Sequence, residues 1–175
     1  MYIKNPNNES ILEAVRDIGI DSQDSLLLMF GEKQVFDFDS LHRSLSTLDI
    51  SFFGGVFPGL IYEGNRYEDG CILLKLNVIK KPILVHGLQN KNFELPNVPD
   101  IEALYGEKRT VLTFVDGLTS NIAAYLSKLY DVLGNTVNFI GGGAGSLTLV
   151  QQPCVFTNQG IFQDAAVICF LDYKS

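Results

Sequence analysis

One order of elements occurs twice in this sequence, and that repetition narrows the folds open to the chain more than any single motif does. Residues 25–76 run as apolar strand, helix, second strand, glycine turn and closing strand, and residues 109–171 follow the same order. Leu26 corresponds to Val111, Gly54 to Gly141 and Asp69 to Asp164, at offsets of 85, 87 and 95. The offset grows only across connecting segments, where duplicated units are free to diverge. Two units are too few for a solenoid, whose inner repeats are buried by neighbours on both sides. The expectation is a single pseudo-symmetric domain over residues 1–175, with two mirrored glycine turns.

Within each unit the pattern is that of a βαβ crossover. SLLLMF (25–30) and RTVLTFV (109–115) are short unalternating apolar runs, as expected of strands covered on both faces. A helix follows each: Asp39 can cap one carrying Leu41, Leu45 and Leu48, and Thr119 or Ser120 can cap one carrying Ile122, Leu126, Leu129 and Leu133. The chain returns as DISFF (49–53) and TVNFI (136–140), so each strand pair should be parallel. YEDGCILLKL (67–76), KPILVHGL (81–88), PCVFTN (153–158) and DAAVICFL (164–171) read as further strands. Ahead of the first unit, Asn7 or Asn8 can start a helix over 9–18 that Gly19 stops, and a short helix is expected near 100–105. The fold class is α/β, with mixed sheet or sheets covered by helices.

Composition removes several function classes. A net charge of −7 opposes nucleic acid or an anionic membrane as main partner, since phosphate contacts need clustered Lys and Arg. No apolar run reaches the ~18 residues of a membrane span, and the N-terminus lacks the apolar core of a signal peptide. Cys71, Cys154 and Cys169 cannot all pair and show no C-x-x-C spacing, which fits a reducing cytoplasmic setting.

The chemistry-bearing candidates are few. Gly141-Gly142-Gly143-Ala144-Gly145-Ser146 follows a strand, but a residue sequence that reads as loop and strand comes next, without the helix a dinucleotide fingerprint requires. Consecutive glycines instead admit a ligand close to the backbone or pack two backbones tightly, and Gly54-Gly55 repeats the feature. Asp116 and Thr119 stand where a parallel strand ends and a helix begins, the customary place for small ligands in α/β sheets, although plain helix capping is an alternative for Thr119. The candidate ligand site is thus Asp116, Thr119, Gly141, Gly142 and Gly143, with Gly54 and Gly55 as its mirrored half. His42 and His86 have no second ligand at metal spacing, and no nucleophile has a partnered base, so neither a metal site nor catalysis is expected.

With VLTFVDGL, NIAAYLSKLYDVLG, NFIGGGAGS and CVFTNQGIFQDAAVICFL, the chain resembles the N-terminal domain of the FIST family from about Ser25 to Leu171. The resemblance implies a non-enzymatic sensory domain of signal-transduction proteins that binds a small ligand, an amino acid or similar polar metabolite by the usual proposal. It also implies a C-terminal companion domain or signalling partner, so that this chain is either a short natural form or an excised piece. Some members are linked to haem, which makes a gas-sensing module one alternative, with His86 the better axial candidate. A protein-interaction or oligomerisation module without ligand is the other.

Overall fold

The computed structural model describes residues 1–35, 37–96 and 109–172; the helix expected near 100–105 lies outside them. Strand β1 (Tyr2–Ile3) precedes α1 (Asn8–Ile18), where Asn7 accepts from the Ser10 amide at 2.8 Å and Ser10 reciprocates, a closed capping box ended by a left-handed Gly19. The first half continues as β2 (Asp24–Gly31), α2 (Phe38–Ser46), β3 (Ser51–Phe57), β4 (Leu60–Tyr62) and β5 (Asn65–Tyr67). After β6 (Cys71–His86) come β7 (Arg109–Asp116), α3 (Ile122–Leu133), β8 (Val137–Ala144), β9 (Val155–Thr157), β10 (Gly160–Phe162) and β11 (Ala165–Leu171).

Helix starts differ from expectation. Asp37 rather than Asp39 caps α2, accepting from the Ser40 amide at 3.0 Å, and this places Asp39 in the first turn. Neither Thr119 nor Ser120 caps α3; Asn121 occupies the cap position without a side-chain cap bond. Its Nδ2 donates instead to the Leu88 carbonyl at 2.7 Å and ties the helix start to the end of β6.

Among the described residues the fold is α/β with a mixed nine-stranded sheet in the order β10-β9-β3-β2-β6-β11-β7-β8, β1 being added on β6, and a separate β4–β5 hairpin. β2 runs parallel to β3 with Leu28 opposite Gly54, and β7 runs parallel to β8 with Thr113 opposite Gly141. Each first strand also has an antiparallel neighbour, Phe30 facing Cys71 in β6 and Val115 facing Ala166 in β11. Of the segments 67–76 and 81–88, expected as two strands, residues 71–76 and 81–86 belong to one sixteen-residue strand, and Tyr67 ends β5 instead. Pro82 is tolerated because it lies at a register shift, between the pairs Lys80–Phe170 and Ile83–Ile168, where the missing N–H breaks no ladder bond. β6 therefore joins the halves, pairing with β2 over 71–77 and with β11 over 78–86.

Alternation along the strands divides the interior into three clusters. Leu26, Leu28 and Phe30 of β2 share one with Ile11 and Val15 of α1, Leu41 and Leu45 of α2, and Phe156. Val111 and Val115 of β7 share another with Tyr125, Leu129 and Leu133 of α3. The opposite strand faces, including Leu27, Phe53, Leu112 and Phe114, meet in a central cluster where the Phe57 and Phe114 rings lie 4.9 Å apart. Leu126, expected on the buried stripe of α3, is half exposed because Tyr125 takes the inward position, its hydroxyl 2.6 Å from Thr113 Oγ1.

The three cysteines are free and buried in these layers. Burial, with the Asp116 carboxylate beside it, pushes the Cys154 thiol up to about 12; burial alone does the same for Cys169 and raises Cys71 further. A folded pKa above the unfolded one contributes stability below the ordinary thiol value of 9.0 that is lost as pH rises beyond it. Thiol reagents at neutral pH are therefore expected to leave the native protein unlabelled and to label all three residues after unfolding, with stability falling above about pH 9. Rapid labelling of native protein would contradict this burial.

Candidate functional site

Asp116 closes β7 with its side chain buried. Its Oδ1 accepts from the Leu118 amide at 3.0 Å, and its Oδ2 accepts from the Asp164 amide at 2.6 Å and from Gln151 Nε2 at 2.8 Å. Thr119, also buried, donates from Oγ1 to Asp164 Oδ1 at 2.7 Å, and the same oxygen accepts the Gln89 amide at 2.8 Å. These bonds knot the ends of β6 and β7, the start of β11 and the approach to α3. The Asp116 and Thr119 side chains are committed to that knot, which gives them a structural task at the position a ligand would have used.

The two glycine pairs are in unlike surroundings. Gly54 and Gly55 are buried in β3 between β2 and β9. A methyl group on Gly54 would stand 1.7 Å from the Leu28 carbonyl oxygen and 2.8 Å from the Phe156 ring, and one on Gly55 would stand 3.0 Å from the Cys154 carbonyl oxygen. These glycines let strands and an aromatic ring approach the backbone. Gly141, Gly142 and Gly143 are exposed on β8, the last strand of the sheet. A methyl group on Gly142 would meet nothing within 4 Å, and one on Gly143 only the Gly117 Cα at 3.6 Å, whereas one on Gly141 would stand 1.8 Å from the Thr113 carbonyl oxygen.

Along β8 runs a groove of about 670 Å³, bounded by Ile122, Leu126, Ser127, Tyr130 and Asp131 of α3, by Thr113 and Val115 of β7, and by Phe139 to Gly143. Leu126, Tyr130, Phe139 and Ile140 leave much of their apolar surface open to solvent there, and the Tyr130 and Phe139 rings lie 6.1 Å apart. The groove arises because α3 turns Tyr125, Leu129 and Leu133 inward over β7, β11 and the start of β8, and leaves residues 139–143 of the outer strand exposed. Thr113 is not a free donor, since its hydroxyl donates to the Val167 carbonyl at 2.8 Å. Polar contacts in the groove therefore come from the glycine backbone, Ser127, Asp131 and the Tyr130 hydroxyl.

Of the sequence candidates, the structure gathers Gly141, Gly142 and Gly143 at this groove and places Asp116 and Thr119 in the knot and Gly54 and Gly55 in the interior. Sequence reasoning missed Tyr130, Phe139 and Ile140. The signal for Tyr130 was the width of the apolar face of α3, where Leu126 and Tyr130 form a row beyond the one that a strand pair can bury; Phe139 and Ile140 of β8 carried none. His42 Nε2 lies 2.7 Å from the Asn158 carbonyl oxygen, and exposed His86 stacks edge-on against Phe162 at 4.8 Å. Among the described residues, no cluster of three metal-ligating side chains occurs and no helix is long and apolar enough to cross a membrane.

Compared with known families, residues 25–175 match the family model described as the FIST N domain. No curated protein and no solved structure matches the chain.

Proposed function

From the premise that the chain belongs to the FIST N domain family, a family of sensory domains in signalling proteins, we propose that it senses a small organic molecule held in the groove between α3 and β8. One observation carries the reading: an open, mainly apolar cleft of about 670 Å³ lies against three exposed glycines that let a ligand approach the backbone. A molecule with an apolar body and a charged end suits that lining. An amino acid with an aliphatic or aromatic side chain is such a molecule, its body against Leu126, Tyr130 and Phe139 and its ammonium group toward Asp131. The lining contains no His, Cys or Met, and Tyr130 is its one side chain of a type that ligates haem iron. The role proposed is recognition without catalysis.

We also read the chain as a duplicated unit. Leu28–Gly54 and Thr113–Gly141 are corresponding pairs at the sequence offsets of 85 and 87, and Phe30–Cys71 corresponds to Val115–Ala166 at 85 and 95. Coincident registers across two separate pairings are what divergence from one ancestral unit would leave.

A thermal-shift screen of apolar amino acids, polar amino acids and small organic acids tests the ligand. A binder at 100 times its dissociation constant adds about 2.7 kcal/mol of apparent stability. Gly142→Ala, where a methyl group finds open space, is expected to keep near-native melting while weakening a positive compound at least tenfold. Unchanged affinity in Gly142→Ala, or no shift with any compound class, would remove the groove as the sensing site.

A further inference from the structure

The first half of the molecule shows what covers a glycine strand in this fold. Phe156 of β9 stands opposite Gly54 of β3, fully buried, with the Phe38 ring 5.2 Å away. In the second half the corresponding strand, β8, ends the sheet. Its residues, VNFIGGGA, contain no charge and no proline, so the edge lacks the features that deter another strand.

The hairpin corresponding to β9–β10 is β4–β5. Leu60 pairs with Tyr67 and Ile61 with Arg66, as Val155 pairs with Phe162 and Phe156 with Ile161, each at an offset of 95. Leu60 and Val155 are both buried in the central cluster. Ile61 thus holds the place of Phe156, yet it is 76% exposed, and among the described pairings β4 has only β5 beside it. Among the described residues, the chain carries both an uncovered glycine edge and an unpaired hairpin of matching register.

We propose that two copies of this chain dimerise by setting β4 of each against β8 of the other, antiparallel, with Ile61 opposite Gly141. The occupant is a second copy because the hairpin is held to its own half. Only Pro58 and Gly59 separate β3 from β4, whereas residues 145–154 lie between β8 and β9, and this longer connection lets β9 reach β3. Tyr2 fixes the hairpin further, its ring stacking on Tyr67 at 4.3 Å and on Tyr62 at 5.8 Å. Arg66 shares the Ile61 face and would approach α3, where Asp131 lines the groove, by turning from its exposed pair with Glu68 at 2.9 Å. Reciprocal contacts close the assembly as a two-fold dimer. Isoleucine fills less space than phenylalanine, so the groove would become a walled cavity with room left; that last point alone rests on the ligand reading.

Sedimentation or light scattering of the ligand-free protein tests the proposal. The unsubstituted chain is expected to be a dimer, and Ile61→Asp and Ile140→Lys, both at exposed positions, are expected to be folded monomers by circular dichroism. Should either variant unfold, Arg66→Glu is expected to weaken the dimer at least tenfold and Arg66→Glu with Asp131→Arg to restore it. A monomeric unsubstituted chain would overturn the proposal. So would a dimer that survives Ile61→Asp, which would mean that β8 pairs with its own copy, or a charge exchange that restores nothing. Because no ligand is present, failure here is separate from failure of the screen.

Discussion

Gly54→Ala is expected to be the most damaging single-methyl change among the glycines of β3 and β8. The added Cβ would lie 1.7 Å from the Leu28 carbonyl oxygen, in a strand held by β2 on one side and β9 on the other. Neither neighbour can yield without disturbing Phe156, which packs with Phe30 at 6.0 Å and Phe38 at 5.2 Å. Overpacking of this kind costs about 1–3 kcal/mol and more where backbone must move. A loss of at least ~3 kcal/mol is therefore expected from urea unfolding. Gly141→Ala makes a similar overlap, 1.8 Å from the Thr113 carbonyl oxygen, at a φ of +154°. Its strand is an edge and can shift outward, so the expected loss is smaller, while Gly142→Ala should cost less than ~1 kcal/mol. Equal unfolding midpoints for Gly54→Ala and Gly142→Ala would show that burial of β3 does not constrain its backbone as described.

Asp116→Ala should have the second large effect, and its sign separates scaffold from ligand site. The change leaves the amides of Asp164 and Leu118 and the Gln151 side chain without their acceptor. An unsatisfied buried donor costs about 1–3 kcal/mol; Gln151 is half-buried and can turn to water, so a loss of roughly 2–4 kcal/mol is expected. Asp116→Asn keeps one acceptor oxygen but sets an amide NH2 against a donor, and should fall between the two. Both variants should bind a groove ligand with unchanged affinity, because the carboxylate is buried in the knot. Near-native stability with abolished binding would return Asp116 to the ligand site.

How much was legible follows from which forces act locally. Leu26, Val111 and their neighbours announced buried strands through unbroken apolar runs, and two helices between such strands required parallel pairs. Asn7 and Gly19 marked α1 because capping is settled within a few residues. The Asp39 assignment failed by two positions because either carboxylate is chemically fit to cap, and chain direction before the helix decides between them. The separate strands expected at 67–76 and 81–88 became one because a bulge on β6 gives Pro82 a place that local sequence does not reveal.

The candidate site divides in the same way. The sequence by itself determined the α/β class and the order of the main strands and helices, since apolar periodicity acts over short range; the two glycine runs, expected as turns, lie instead within β3 and β8. Tertiary structure alone decided that Gly54 and Gly55 would be sealed and Gly141 to Gly143 left open. Identical local patterns met different neighbours: the longer connection after β8 carries β9 across to β3, while the two residues after β3 keep β4 at home. Whether a strand is central or an edge depends on what another part of the chain can reach, and no residue within the strand encodes it.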